Sequence, residues 1–315
     1  MPLLEVRGIS KTFGRGAGAL KAIDDVSLSV EEGECVALVG ESGSGKSTLA
    51  RLALRLLEPD SGDVLLQGRS LMAQSRSKLR SRRLPMQPIF QDPAASFNPR
   101  RRVRSILQQA ATQARPSQTE SLSRLCELLD QVELRPAVDY LDRYPHELSG
   151  GQRQRLAIAR ALAVEPAIII ADEPLSGADV SIRAQILNLL MDLQASKGLA
   201  YLLITHDMLV AEAFSHRIAV MYRGRIVEEG LTREVLQSPY HPYTKQLLAA
   251  VHSVDAAPTG TEVFQRAEPA FPTAGCAFYG RCPVAIDPCV EQRPEPSVLK
   301  DQHRVSCLHV EWAKF

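Results

Sequence analysis

Apolar residues come in short runs along this chain, and their period switches between two and about three and a half. Residues 3–9 and 22–30 alternate apolar with polar positions, which predicts strands with one face on a core. Cys35–Val39, residues 167–171 and Ala200–Thr205 are almost unbroken apolar runs, predicting strands. Between them the spacing turns helical. Leu49, Leu52, Ala53, Leu56 and Leu57 share one helical face, with Pro59 and Gly62 as the stop. Leu122, Leu125, Leu128, Leu129 and Val132 form a second such face, inside a long insert over about residues 70–144. A helix opens at Gly150-Gly151 and carries Leu156, Ile158, Ala159 and Leu162; another covers 180–195. Arg217–Tyr222 and residues 225–229 flank Arg223-Gly224 and predict a hairpin. Strands alternating with helices argue for an α/β fold, a largely parallel sheet with helices on both sides.

The periodicity fades after residue 238, where Pro239, Pro242, Pro258, Pro269 and Pro272 punctuate the chain. Four cysteines follow. The chain has 315 residues, enough for one large domain and a smaller addition. Residues 1–235 read as the main domain and 236–315 as an appended tail. Net charge is +1, so no whole-chain field favours nucleic acid or anionic lipid. No apolar run approaches the ~20 residues needed to span a bilayer. The first residues lack a basic segment followed by a long apolar core, so a cytosolic location is expected. Membrane association would come through a partner.

Three segments carry recognisable chemistry. Gly40-Glu41-Ser42-Gly43-Ser44-Gly45-Lys46-Ser47-Thr48 follows an apolar strand and opens a helix. That context suits a phosphate loop: Gly40, Gly43 and Gly45 let backbone N–H groups point inward, and the helix start adds positive charge. Lys46 supplies a full charge to the β- and γ-phosphates, and the Ser47 hydroxyl can reach Mg²⁺. Asp172 and Glu173 end an apolar strand, where two adjacent carboxylates need a cation to offset desolvation. A third segment, Leu148-Ser149-Gly150-Gly151-Gln152, places a hydroxyl and free N–H groups at a helix start and makes a second anion site. One chain cannot easily bring both anion sites to one phosphate tail. Two chains placed head to tail can.

These three segments, in this order, resemble the ATP-binding subunits of ABC transporters. The resemblance implies a P-loop NTPase core with an antiparallel β subdomain and a helical subdomain over about 90–165. It implies ATP and Mg²⁺ as ligands, with Asp172 on the metal side and Glu173 as the general base. Gln91 in Phe90-Gln91-Asp92-Pro93 resembles the glutamine that touches Mg²⁺ or the attacking water. His206 resembles the histidine that contacts the γ-phosphate, and Phe13 takes the place of an adenine-stacking aromatic. Ser149, Gly150, Gly151, Gln152 and Asp179 would meet the nucleotide or the seam of a second ATPase subunit, in a homodimer or heterodimer. Pro174-Leu175-Ser176-Gly177-Ala178-Asp179 departs from the family's usual Ser-Ala-Leu-Asp at Gly177 and Ala178.

Ser96-Phe97-Asn98-Pro99-Arg100 and Ser238-Pro239-Tyr240-His241-Pro242-Tyr243-Thr244 resemble the peptide and nickel importer branch. Partners implied are two membrane permease subunits and an extracytoplasmic solute-binding protein, with this chain peripheral on the cytoplasmic face of the membrane. In some members the tail holds a [4Fe–4S] cluster, which makes Cys276, Cys282, Cys289 and Cys307 candidate ligands. About 40 residues rarely build a stable core unaided, which also argues for a staple. Zinc, with His303 or His309 as substitute ligands, and free thiols are the alternatives. Cys35 and Cys126 lie in apolar contexts and read as core. Arg76, Lys78, Arg80, Arg82 and Arg83, with Arg100, Arg101, Arg102 and Arg104, form basic clusters on either side of Gln91. They read as a solvated face or a rim toward the membrane subunit. The rival readings are a soluble ABC-type ATPase acting on nucleic acid or the ribosome, and an ordinary P-loop kinase or GTPase. The first lacks aromatics interleaved with the arginines, and the second has no use for Leu148–Gln152.

Overall fold

The computed structural model describes residues 1–114, 120–177, 179–252, 274–299 and 303–309. In chain order the strands and helices begin with β1 (Leu4–Phe13), β2 (Leu20–Val30), β3 (Cys35–Val39), α1 (Lys46–Ala53), β4 (Ser61–Leu66), β5 (Arg69–Ser70), α2 (Arg76–Arg82) and β6 (Met86–Ile89). The helical part follows as α3 (Val103–Ala114), α4 (Leu122–Gln131), α5 (Val138–Leu141) and α6 (Gly150–Leu162). Then come β7 (Ile168–Asp172), α7 (Val180–Lys197), β8 (Ala200–Thr205), α8 (Met208–Phe214), β9 (Arg217–Tyr222), β10 (Arg225–Leu231), α9 (Thr232–Gln237) and α10 (Pro242–His252). The tail adds α11 (Pro288–Glu291), β11 (Ser297–Val298) and β12 (Arg304–Val305).

Two sheets form. One is antiparallel, in the order β2-β1-β4-β5; the other runs β11-β12-β10-β9-β3-β8-β7-β6. In the second, β9, β3, β8, β7 and β6 are mutually parallel neighbours. Their apolar runs exist because both faces are covered. In β7, Ile168 and Ile170 join the core under the antiparallel sheet, while Ile169 and Ala171 join the core under α3, α4, α6 and α7. Residues of β8 divide the same way, as period two requires.

Three expectations change. The first helix stops at Ala53 rather than running on to Leu57, because Arg55 takes a positive φ of 47°. The insert is not wholly an insert, since Met86–Ile89 is the edge strand of the parallel sheet. Pro88 hid it from a pattern reading, yet an edge strand tolerates a proline. The proline-punctuated segment after 238 contains the helix Pro242–His252, which starts with its proline as helices allow. The tail packs on the main domain. Its β12 pairs with β10, and Phe278 joins a core with Val39, Val220, Tyr222 and Tyr243.

Candidate functional site

Four neighbouring strands, β3, β8, β7 and β6, end along one edge of the sheet. The phosphate loop leaves β3, His206 leaves β8, Glu173 leaves β7 and Gln91 leaves β6. Crevices at the carboxyl ends of parallel strands are where open α/β sheets bind ligands. Strand order alone thus gathers segments more than a hundred residues apart in the chain.

Gly45 closes the loop at the start of α1 with φ 109°. A Cβ there would stand 2.6 Å from the Ala22 carbonyl oxygen, so the loop needs glycine at this point. Lys46 is buried, at 5% exposure, and its Nζ donates to the Gly40 and Glu41 carbonyls at 2.8 Å each. Burial lowers its pKa, opposed by Glu173 and Asp172. The Ser47 hydroxyl donates to Asp172 Oδ1 at 2.9 Å. Burial, and next to it the Glu173 charge, raise the Asp172 pKa, although Ser47 pulls the other way. A hydroxyl and a carboxylate held together, with a second carboxylate adjacent, form an oxygen donor set suited to Mg²⁺. The raised pKa marks a buried anion that a cation would relieve.

Glu173 sits on a positive φ of 47°, its N–H bonded to the Ile204 carbonyl of β8 at 2.9 Å. That strained turn aims its carboxylate at His206, whose Nδ1 lies 3.4 Å from Oε1. Gln91, Glu173, His206 and Asp207 line one cavity of about 320 Å³ with Ser176 and Gly177. Ser42, Gly43, Ser44 and Thr48 lie on the phosphate loop and the first turn of α1.

Ser149 caps α6. Its hydroxyl accepts from the Gln152 N–H at 3.3 Å, and the Gln152 side chain accepts from the Ser149 N–H at 2.9 Å. Gly151 faces Ile182 of α7, where a Cβ would come within 3.0 Å of Cγ2. Asp179 is the N-cap residue of α7. Phe13 ends β1 at 40% exposure, with Lys11 Nζ 5.9 Å from the ring centre. Ala178 lies outside the described residues.

The basic clusters divide. Arg83 turns inward and donates to the Leu54 carbonyl at 2.9 Å, so it is not part of a solvated face. Arg102 pairs with Asp142 at 2.9 Å. Arg80, Arg101 and Arg104 line a cavity of about 880 Å³ between α2 and α3.

Cys276, Cys282, Cys289 and Cys307 form no disulfide with one another. Burial raises the pKa of Cys276, Cys282 (to about 11) and Cys307, and each is also raised by neighbouring cysteines of the set. Among the described residues, no three His, Cys, Asp or Glu side chains are close enough to share one metal ion. His303 is buried, and its Nε2 is bonded to buried Glu228 at 2.7 Å. Cys35 is fully buried and Cys126 packs against the core, as their contexts suggested. One contact had no sequence signal. The tail reaches the phosphate loop, where Arg281 makes a two-pronged pair with Glu41.

Comparison with known proteins is consistent throughout. Residues 23–176 match the ABC transporter family, and 227–289 match the oligopeptide/dipeptide transporter C-terminal region. The oligopeptide transport ATP-binding protein AppF of Bacillus subtilis is 43% identical over 97% of this chain and 96% of its own length. The dipeptide transport ATP-binding protein DppF of Haemophilus influenzae is 39% identical over 98% and 97%. Among solved structures, the ATP-binding cassette MJ0796, in a dimeric post-hydrolysis state with ADP and phosphate, is 30% identical. It superposes with a TM-score of 0.64 over 73% of this chain and 99% of that one.

Proposed function

This chain belongs to the ABC transporter family as an ATP-binding subunit of the oligopeptide/dipeptide type, and on that premise we propose how it works. It hydrolyses ATP to drive the uptake of peptides, or of related small solutes such as nickel chelates, through partner membrane subunits. The observation that carries the reading is the junction of Ser47 with Asp172, beside a cavity lined by Gln91, Glu173 and His206. The phosphate loop binds the triphosphate through its N–H groups and Lys46. Ser47 and Asp172 hold Mg²⁺, which when bound offsets the charge of the β- and γ-phosphates. Glu173 takes the proton of the attacking water, Gln91 orients that water, and His206 contacts the γ-phosphate. Phe13 stacks on adenine.

The second anion site, at Ser149, Gly150 and Gly151, serves the nucleotide of a partner ATPase subunit. Gln152 fixes the cap, and Asp179 faces the seam. The dimeric relative supports this arrangement. Shifting such an equilibrium from 1:99 to 99:1 takes about 5.5 kcal/mol. Hydrogen bonds to a charged group contribute about 1.5–3 kcal/mol each, so two to four contacts made only with the γ-phosphate suffice. Cleavage removes them and the seam opens.

No helix among the described residues is long and apolar enough to cross a membrane. The subunit accordingly docks on permease subunits at the cytoplasmic face, and a solute-binding protein feeds the other side. A second ATPase subunit, a related chain or a second copy of this one, completes the pair. We take 1–235 as the ATPase unit and 236–315 as the importer-type tail. The four tail cysteines are proposed to hold a [4Fe–4S] cluster rather than zinc, because common zinc sites use tighter pairs than the intervals of 5, 6 and 17 residues that separate Cys276, Cys282, Cys289 and Cys307. Such a cluster would staple the tail.

Two substitutions test the reading. Glu173→Gln should bind ATP, stop turnover and accumulate the closed pair, read by size-exclusion chromatography with the partner subunit. Lys46→Ala should lose ATP binding. Normal turnover in Glu173→Gln would refute the assignment of the base.

A further inference from the structure

The phosphate loop is held from behind by the C-terminal region. Arg281 lies between two of the tail cysteines, in a short helical turn over Tyr279–Arg281. Its two terminal nitrogens donate to the two Glu41 carboxylate oxygens at 2.8 Å each. Its guanidinium also lies 5.6 Å from the Phe278 ring centre and 5.7 Å from that of Tyr222. A planar fork matched to a carboxylate and seated over two rings is a preorganised pair, not a passing surface contact. Tyr243 adds a second hold. Its hydroxyl accepts from the Glu41 N–H at 2.8 Å, and the Tyr243 ring is fully buried against Tyr222 and Phe278.

Glu41 is the second residue of the loop. Its carbonyl is one of the two that receive Lys46 Nζ. Its carboxylate is an anion beside the place where a triphosphate must sit. Left unpaired it would repel the ligand; paired with Arg281 it is neutralised and fixed. Arg281, the Arg223 charge and Lys46 all hold the Glu41 carboxyl below its ordinary range, with the Arg281 hydrogen bond the largest cause.

We propose that Arg281 and Tyr243 are positioning residues of the nucleotide site, through which the C-terminal region sets the affinity of the phosphate loop for ATP. The inference rests on the reading of that loop as the ATP site. It assigns the tail a role in nucleotide binding that does not depend on what its thiols hold.

Equilibrium binding of Mg·ATP to the full chain tests it. Arg281→Ala should weaken binding roughly fivefold to tenfold, the range for a bidentate charged pair discounted for partial exposure. Arg281→Lys should recover part of the loss. The deciding variant is Glu41→Gln combined with Arg281→Ala. With the anion removed, affinity should return to within about twofold of the parent. A purely structural role for Arg281 would leave the double variant as weak as the single one. That result, or parental affinity in Arg281→Ala, overturns the proposal. A parent chain that binds no ATP, or a Lys46→Ala chain that binds it undiminished, would instead strike the underlying reading of the loop.

Discussion

Replacing Glu228 with alanine should loosen the C-terminal region from the sheet, and the cost can be worked from its contacts. Glu228 lies on β10 opposite Val305 of β12 and is 1% exposed. Its carboxylate accepts from the Tyr240 N–H at 2.7 Å, the His241 N–H at 3.0 Å and the His303 ring at 2.7 Å. One side chain therefore ties the turn before α10 and the tail to the same strand. Alanine leaves two buried N–H groups and a buried imidazole without their acceptor. Each orphaned polar group costs about 1–3 kcal/mol, and local relaxation that lets water reach part of the set keeps the total toward the low end. We take about 3–5 kcal/mol as the sum. For a chain of this size each kcal/mol moves the melting point by about 2–4 °C, so a fall of roughly 6–20 °C is expected in calorimetry. Hydrogen exchange should localise the effect to the amides of Tyr240 and His241, because the opening is local before it is global. Glu228→Gln keeps one accepting oxygen and should lose about half as much. A melting point within about 2 °C of the parent, with the two amides still protected, would refute the anchor.

Two further outcomes are expected. Burial lowers the His241 pKa from 6.5 to about 4, against the opposing pull of Glu228. A depressed folded pKa gives stability that is present above pH 6.5 and is lost as pH falls toward 4. Between pH 7 and 5 this group alone should remove about 2 kcal/mol. Urea midpoints should show the loss in the parent and not in His241→Asn, whose side-chain oxygen can still accept from the Tyr243 N–H that His241 Nδ1 now serves at 3.0 Å. Equal pH dependence in both chains would exclude His241 as the source. Gly45→Ala puts a methyl group 2.6 Å from the Ala22 carbonyl oxygen at a φ of 109°. Strain of about 1–3 kcal/mol should displace the loop and weaken ATP binding roughly tenfold, and unchanged affinity in an equilibrium titration would refute the tight fit.

The sequence was most legible where one local signal sufficed. Gly45-Lys46, the apolar run into Asp172-Glu173 and the hairpin at Arg223-Gly224 each combine period, turn chemistry and charge within a few residues. The strand bounds 35–39 and 200–205 coincide with what the fold shows, since an apolar run bounded by polar residues fixes both ends. Legibility failed where the deciding partner is remote. Met86–Ile89 is a strand because β7 lies beside it, while its own Pro88 argues against one. Arg83 reads as one of a run of surface charges because nothing nearby announces the Leu54 carbonyl that receives it. The tail's four cysteines announce themselves by type and proximity, whereas Arg281 carries no local signal because its partner stands 240 positions earlier.

The sheet order explains why these remote contacts converge. β3 feeds the phosphate loop and has β8 on one side and β9 on the other. The β8 side brings Glu173 and His206, the groups suited to cleaving the γ-phosphate. The β9 side brings Tyr222, whose ring lies 4.6 Å from Tyr243 and 5.2 Å from Phe278, and the turn after it, where the Gly224 N–H donates to the Ser44 carbonyl at 2.7 Å. The loop is thus gripped from two flanks by elements of different origin. A displacement of the C-terminal region can reach Glu41 directly, through Arg281 and through Tyr243. A displacement on the other flank reaches the same loop through Asp172 and Ser47. The loop is touched from both flanks, so nucleotide affinity is a quantity in which a change in the tail should be felt.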